Sequence, residues 1–189
     1  MAQFSVTVFC GSSPGEDPGY AAAARAMGEG IAANGMALVF GGGNVGLMGI
    51  VAGAAMAGGA HVTGIIPDFL RKREVEFPGL SELIVTDSMH TRKRRLFARG
   101  DAFIVLPGGL GTFDETIEIL TWKQLGQHNK PIILVDILGW AQPFDSMVRA
   151  AIGTGFARPN VAEMYEIQPD VAAALGRLQE IRQLSSAFL

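Results

Sequence analysis

Short apolar runs alternate with helical patterns along the whole chain. The runs are Phe4–Cys10, Met36–Phe40, His61–Ile66, Leu83–Thr86, Asp101–Leu106, Pro131–Asp136 and Met164–Ile167. A strand that is apolar at nearly every position has to be covered on both faces, and a parallel sheet flanked by helices does this. The intervening patterns read as helices with recognisable signals. Asp17 and Pro18 open one that runs to about Asn34-Gly35, and Ser88 caps another running through Arg99. Others cover Leu47–Ala57, Phe113–Leu125, Pro143–Ile152 and Pro169 to about Leu184. Strict alternation predicts a doubly wound, mostly parallel α/β sheet of about seven strands, a Rossmann-like α/β/α sandwich. No linker, repeat or low-complexity tract interrupts it, so residues 1–189 read as a single α/β domain. Asp68–Gly79 alone falls outside the pattern, a mixed and charged segment.

Composition narrows the partners. Apolar residues are 49% and charged residues 17%, the balance of a chain with a sizeable core. A net charge of −3 argues against general nucleic-acid binding. The only cysteine, Cys10, excludes an internal disulfide and a Cys-based zinc site and fits a reducing, cytoplasmic compartment. Three scattered histidines give no metal-ligand spacing. The first residues lack a basic region and read as a strand rather than a signal peptide. No apolar run approaches the roughly 20 residues needed to cross a bilayer.

Ligands in doubly wound sheets bind at the carboxyl ends of strands, near the point where strand order reverses. Three glycine-bearing turns lie at such ends: Gly11, Gly41-Gly42-Gly43 and Gly108-Gly109-Leu110-Gly111. The third joins a buried strand to a long helix, where free backbone N–H groups and the helix dipole favour an anion. Glu115 lies in the first helical turn by this reading. Thr112-Phe113-Asp114-Glu115 also has the form of a capping box, so Glu115 reads equally as a helix cap or as a catalytic acid. Gly41-x-Gly43-x-x-Gly46 matches a dinucleotide fingerprint, but Asp68 follows a proline and is poorly placed as its ribose acid. Those glycines serve either tight packing or a phosphate or ribose contact. Cys10, Ser12 and Ser13 are candidates to line the same cleft, though Ser13 has no identifiable base to activate it.

The helix from Ser88 carries Met89, Lys93, Leu96 and Phe97 on one face at about 100° per residue, with Arg92 at its edge. Arg92 and Lys93 therefore turn toward the protein, where a ligand phosphate or an internal carboxylate would balance them, unless the helix is simply solvated. Arg94, Arg95 and Arg99 point to solvent, and His90 reads as a packed or surface histidine.

Together these pieces resemble the LONELY GUY family, often labelled lysine decarboxylases. The hallmark PGGxGTxxE stands as Pro107-Gly108-Gly109-Leu110-Gly111-Thr112-Phe113-Asp114-Glu115. Phe9–Ser13, Gly41–Gly49, Met89–Lys93 and Thr121–Gly126 also match, in family order. The resemblance implies a phosphoribohydrolase that cleaves the N-glycosidic bond of adenine-type nucleoside 5′-monophosphates, cytokinin riboside monophosphates and AMP among them. It implies catalytic roles for Glu115 and Arg92. It implies substrate contacts from Glu74, Lys93, Gly109, Leu110, Gly111, Thr112 and Thr121, with Ser13, Gly42 and Gly43 beside them. Glu74 aligns through Lys72-Arg73-Glu74-Val75, which differs locally from the family's PREI segment, and Asp114 stands where the family often has Glu. The scheme asks for no metal or organic cofactor. A small-molecule nucleotide, no nucleic acid, no membrane and a homodimer are the expected partners. The competing reading is a carrier of the same fold that binds a nucleotide or nucleotide-like cofactor without turnover.

Overall fold

The computed structural model describes residues 3–71 and 74–187. Seven strands form one sheet: β1 (Ser5–Phe9), β2 (Ala37–Phe40), β3 (Val62–Pro67), β4 (Glu82–Thr86), β5 (Ala102–Val105), β6 (Ile132–Val135) and β7 (Glu166–Gln168). Every neighbouring pair is parallel, in the order β4-β3-β2-β1-β5-β6-β7. The helices are α1 (Pro18–Ala33), α2 (Gly46–Ala57), α3 (Met89–Arg99), α4 (Leu110–Gln124), α5 (Gln142–Gly153) and α6 (Val171–Ala187).

The five inner strands split their side chains between two cores. Val6, Val8, Leu38, Ile104 and Ile133 pack under α1, α2 and α6. Phe9, Val39, Phe103, Val105 and Leu134 pack under α3, α4 and α5. This two-sided burial is the doubly wound α/β sandwich that the alternation predicts. The caps also agree: the Asp17 side chain accepts from Gly19 N–H at 2.7 Å, and Ser88 Oγ accepts from Thr91 N–H at 3.2 Å.

Sequential strands first step outward from β1 to β4. The chain then returns through α3 to β5 on the other side of β1. The β1/β5 boundary is thus the switch point, and the turns after both strands open onto it. They are bound to one another: Gly11 N–H donates to the Pro107 carbonyl at 3.0 Å. Pro67 belongs to β3, paired with Thr86, rather than lying just beyond it. As the last residue of the strand it needs no ladder donor.

Candidate active site

The helix after β5 starts three residues earlier than the sequence pattern suggests. Gly109 is the N-cap, with φ −100° and ψ −151°, and α4 begins at Leu110. The capping box therefore does not form, and among the described residues no side chain caps this helix. The cause is local. A Cβ on Gly108 would lie 2.1 Å from Thr112 Oγ1, so Thr112 fills the space that the glycine leaves and is buried within the helix. Its carbonyl accepts the Thr116 hydroxyl at 2.7 Å. Trp140 holds the loop from outside, donating Nε1–H to the Gly108 carbonyl at 3.1 Å and stacking on Phe113 at 5.2 Å. The first-turn N–H groups of α4 are left for a ligand. A Cβ on Gly109 or Gly111 would meet nothing within 4 Å, so both glycines face open space.

That space is a cleft of about 150 Å³. It is lined by Cys10, Gly11 and Ser12 from the β1 turn, Gly41 and Met48 around α2, Glu74, Arg92, and Gly109–Thr112 with Glu115 on α4. Arg92 is 5% exposed and tightly held. Its Nε donates to the Ile65 carbonyl at 3.1 Å, and Nη2 donates to the Gly41 carbonyl at 2.9 Å and lies 3.5 Å from Glu74 Oε2. A Cβ on Gly41 would stand 2.3 Å from Nη2, so the glycine is what lets the guanidinium reach this position.

Glu115 is different. Among the described residues it has no hydrogen-bond or ion-pair partner. Burial, with help from Asp114 and Glu74, outweighs the attraction of Arg92 and Lys93 and pushes its carboxyl from 4.5 up to about 7. Burial and the nearby Glu115 push the Cys10 thiol up as well, so it stays neutral. The cleft thus places a cation, a paired carboxylate and a carboxylic acid that titrates near neutrality beside a set of helix N-terminal amides. Such a set can hold a phosphate and serve acid–base chemistry next to it.

Other expected contacts fall elsewhere. Lys93 turns inward but points to α4, with Nζ 2.6 Å from Asp114 and 3.6 Å from Glu118. Ser13 lines an adjoining hollow with Tyr20, Trp140 and Gly109. Gly42, at φ +80°, accepts Phe77 N–H at 3.0 Å, and Gly43 bridges Glu76. These two glycines dock the Glu74 segment against β2; it is Gly41 that lines the cleft. Leu110 stands at the mouth, 87% exposed. Thr121 is exposed farther along α4, its hydroxyl donating to the Ile117 carbonyl at 2.8 Å. Arg94, Arg95 and His90 are exposed, while Arg99 forms a two-pronged pair with Glu82. Lys72 and Arg73, part of the weak match around Glu74, lie outside the described residues. Trp140 lies in a connector without a motif, so no sequence signal marks its place at the site.

A doubly wound sheet with an amide cradle and an acid–cation pair at its switch point defines a nucleotide-type α/β protein. The family model described as possible lysine decarboxylase matches residues 48–178, and the chain belongs to that family, the LONELY GUY proteins. It is 42% identical over 176 residues to the cytokinin riboside 5′-monophosphate phosphoribohydrolase of Rhodococcoides fascians, covering 93% of this chain and 89% of that one. An Arabidopsis thaliana protein of the same name is 39% identical over 175 residues, covering 93% and 81%. The fold is shared with the Moco carrier protein of Chlamydomonas reinhardtii, at a TM-score of 0.74 and 19% identity over 96% and 99% of the chains. The decarboxylase description fits the cleft poorly. Pyridoxal chemistry needs a Schiff-base lysine, and among the described residues no lysine lines it.

Proposed function

We propose that the protein hydrolyses the N-glycosidic bond of adenine-type nucleoside 5′-monophosphates, giving the free base and ribose 5-phosphate. The observation that carries this is the sharing of one cleft by the open N-terminus of α4 and, one turn further along, Glu115, which has no partner among the described residues and lies across the cleft from Arg92. The relatives named as phosphoribohydrolases support it at about 40% identity. In this reading the 5′-phosphate sits on the amides of Leu110, Gly111 and Thr112, where the helix dipole favours it. That anchorage brings the ribose over Glu115. Breaking C1′–N9 builds positive charge at C1′ and negative charge on the base, and Glu115 lies beside that bond. Arg92 balances the phosphate and carboxylate charges and orients the sugar. AMP and cytokinin riboside monophosphates are the substrates, and the cytoplasm is the site of action.

The same reading makes the protein a homodimer. Leu110, Ile117, Thr121 and Leu125 share one exposed stripe of α4 at helical spacing, with Leu110 and Leu125 87% and 66% exposed. A second copy covering that stripe would bring Thr121 toward a cleft that its own chain does not give it.

The test compares AMP and N6-isopentenyladenosine 5′-monophosphate with their dephosphorylated nucleosides, resolving products by chromatography. Free base is expected from the monophosphates, with rates on the nucleosides lower by orders of magnitude. Equal rates on both forms contradict the phosphate cradle. Tight binding of the monophosphates with no base released supports a carrier instead.

A further inference from the structure

Cleaving a nucleoside needs a proton for the departing base and a site for the proton that the attacking water gives up. The hydrolase reading assigns one carboxylate to the bond, and one carboxylate cannot do both in the same step. A second carboxylate lines the cleft. Glu74 reaches it from the loop before β4, in a position fixed by backbone. Asn44 N–H donates to the Glu74 carbonyl at 3.0 Å and to the Val75 carbonyl at 2.7 Å. A Cβ on Gly43 would lie 3.0 Å from Glu74 Cβ and 3.2 Å from its carbonyl, so the glycine turn is shaped to receive this residue. Its side chain is 17% exposed and lies 3.5 Å from the Arg92 guanidinium. Glu115 lines the same cleft and has no such partner among the described residues. Two carboxylates thus share one pocket and one arginine, with the ion pair given to only one of them.

Resting on the hydrolase reading, we infer that Glu74 is a second catalytic carboxylate: Glu115 is the general acid for the base, and Glu74 the general base for water. The C1′–N9 bond breaks with its electron pair passing to the base. Glu115, in its neutral form, gives its proton to a ring nitrogen of the base. The water oxygen bonds to C1′, and its proton passes to the Glu74 carboxylate. After release, Glu74 returns that proton to solvent and Glu115 takes one up, so the cycle closes with no oxidant or reductant. The groups facing Glu115 are Arg92 and Lys93 from α3, Asp114 on its own helix, Glu74, and Cys10 at the end of β1. The first two draw its proton off, the carboxylates and burial hold it on, and the balance leaves it a donor below pH of about 7. Unequal environments for two carboxylates are the usual physical basis for dividing acid from base.

The experiment varies the leaving group. Wild type, Glu115→Gln and Glu74→Gln are assayed on AMP and on p-nitrophenyl β-D-ribofuranoside 5-phosphate, whose phenolate leaves without a proton. With AMP both variants are expected to lose about 10²–10⁴-fold in kcat, the range of acid–base contributions. With the nitrophenyl substrate Glu115→Gln recovers most of that loss and Glu74→Gln recovers none. In pH profiles the fall in rate above about pH 7 disappears in Glu115→Gln and persists in Glu74→Gln. Glu74→Asp, which keeps the charge and the Arg92 pair, is the check on folding and should retain more activity than Glu74→Gln. The inference is overturned if Glu74→Gln works at the wild-type rate, or if the nitrophenyl substrate rescues neither variant or both alike. Wild type that releases no base from AMP or its N6-isopentenyl analogue overturns the hydrolase reading itself, a separate outcome.

Discussion

Ionising Glu115 weakens the folded protein, because burial raises its carboxyl from 4.5 to about 7. Below pH 4.5 the folded and unfolded chains both hold the proton, and there is no difference. As pH rises through 4.5 the unfolded chain releases it first, so stability falls until the folded form also ionises near pH 7. The full cost above that pH is on the order of 3 kcal/mol. Glu115→Gln removes the ionisation, so at pH 8 its melting temperature should exceed that of wild type by several degrees, a gap that closes toward pH 4. Thermal melts across pH read this directly; a variant less stable than wild type at pH 8 contradicts the assignment. Sequence alone left Glu115 balanced between cap and catalyst. The packing of Thr112 against Gly108, which starts α4 at Leu110, carries Glu115 past the capping positions and removes the cap reading. That depends on a contact between two residues that a sequence pattern does not encode. Arg92 is more legible: its place on the apolar edge of α3 points to an anionic partner, and Glu74 lies 3.5 Å away, while the Ile65 and Gly41 carbonyls that also hold it carry no sequence signal.

At the scale of elements, the site depends on how α3 and α4 lie against each other. Phe97 and Trp122 join them edge to face at 4.9 Å, and nearer the cleft Lys93 reaches Asp114 at 2.6 Å and Glu118 at 3.6 Å. Lys93 follows Arg92 and Asp114 precedes Glu115, so this clip lies directly beside the proposed catalytic pair. Lys93→Met should lower stability by about 1 kcal/mol, as expected for a partly exposed ion pair. It should also move the high-pH fall in activity to higher pH, because Lys93 draws the proton from Glu115. A pH profile unchanged by this substitution would place Lys93 outside the electrostatics of the site. The strands, helices and glycine turns could be read from the sequence because burial on both faces leaves continuous apolar runs. The target of Lys93 could not, because spacing gives the face of a helix and not the residue opposite it.

At the scale of the whole molecule, the reversal of strand order between β1 and β5 gathers the three glycine turns, α3 and α4 at one end of the sheet. Sequence alternation predicts this gathering in outline, since chains of this class bind at the switch point. The position of Thr121 did not follow, because its motif matches a family site while its own fold holds it on an outer face. If a second copy covers the α4 stripe, Leu125→Glu should convert a dimer to a monomer in light scattering and reduce turnover with it. A dimer of unchanged mass would rule that stripe out as the interface.

The central claim is that this cleft breaks the bond between base and sugar phosphate, with Glu115 at that bond. Wild type and Glu115→Gln should be incubated side by side with N6-isopentenyladenosine 5′-monophosphate while nucleotide binding, free base and ribose 5-phosphate are all quantified. The account predicts base and sugar phosphate in equal amounts from wild type. It predicts undiminished binding but at least about 10²-fold slower release from Glu115→Gln. Binding without release by wild type, or release by Glu115→Gln at the wild-type rate, would contradict it.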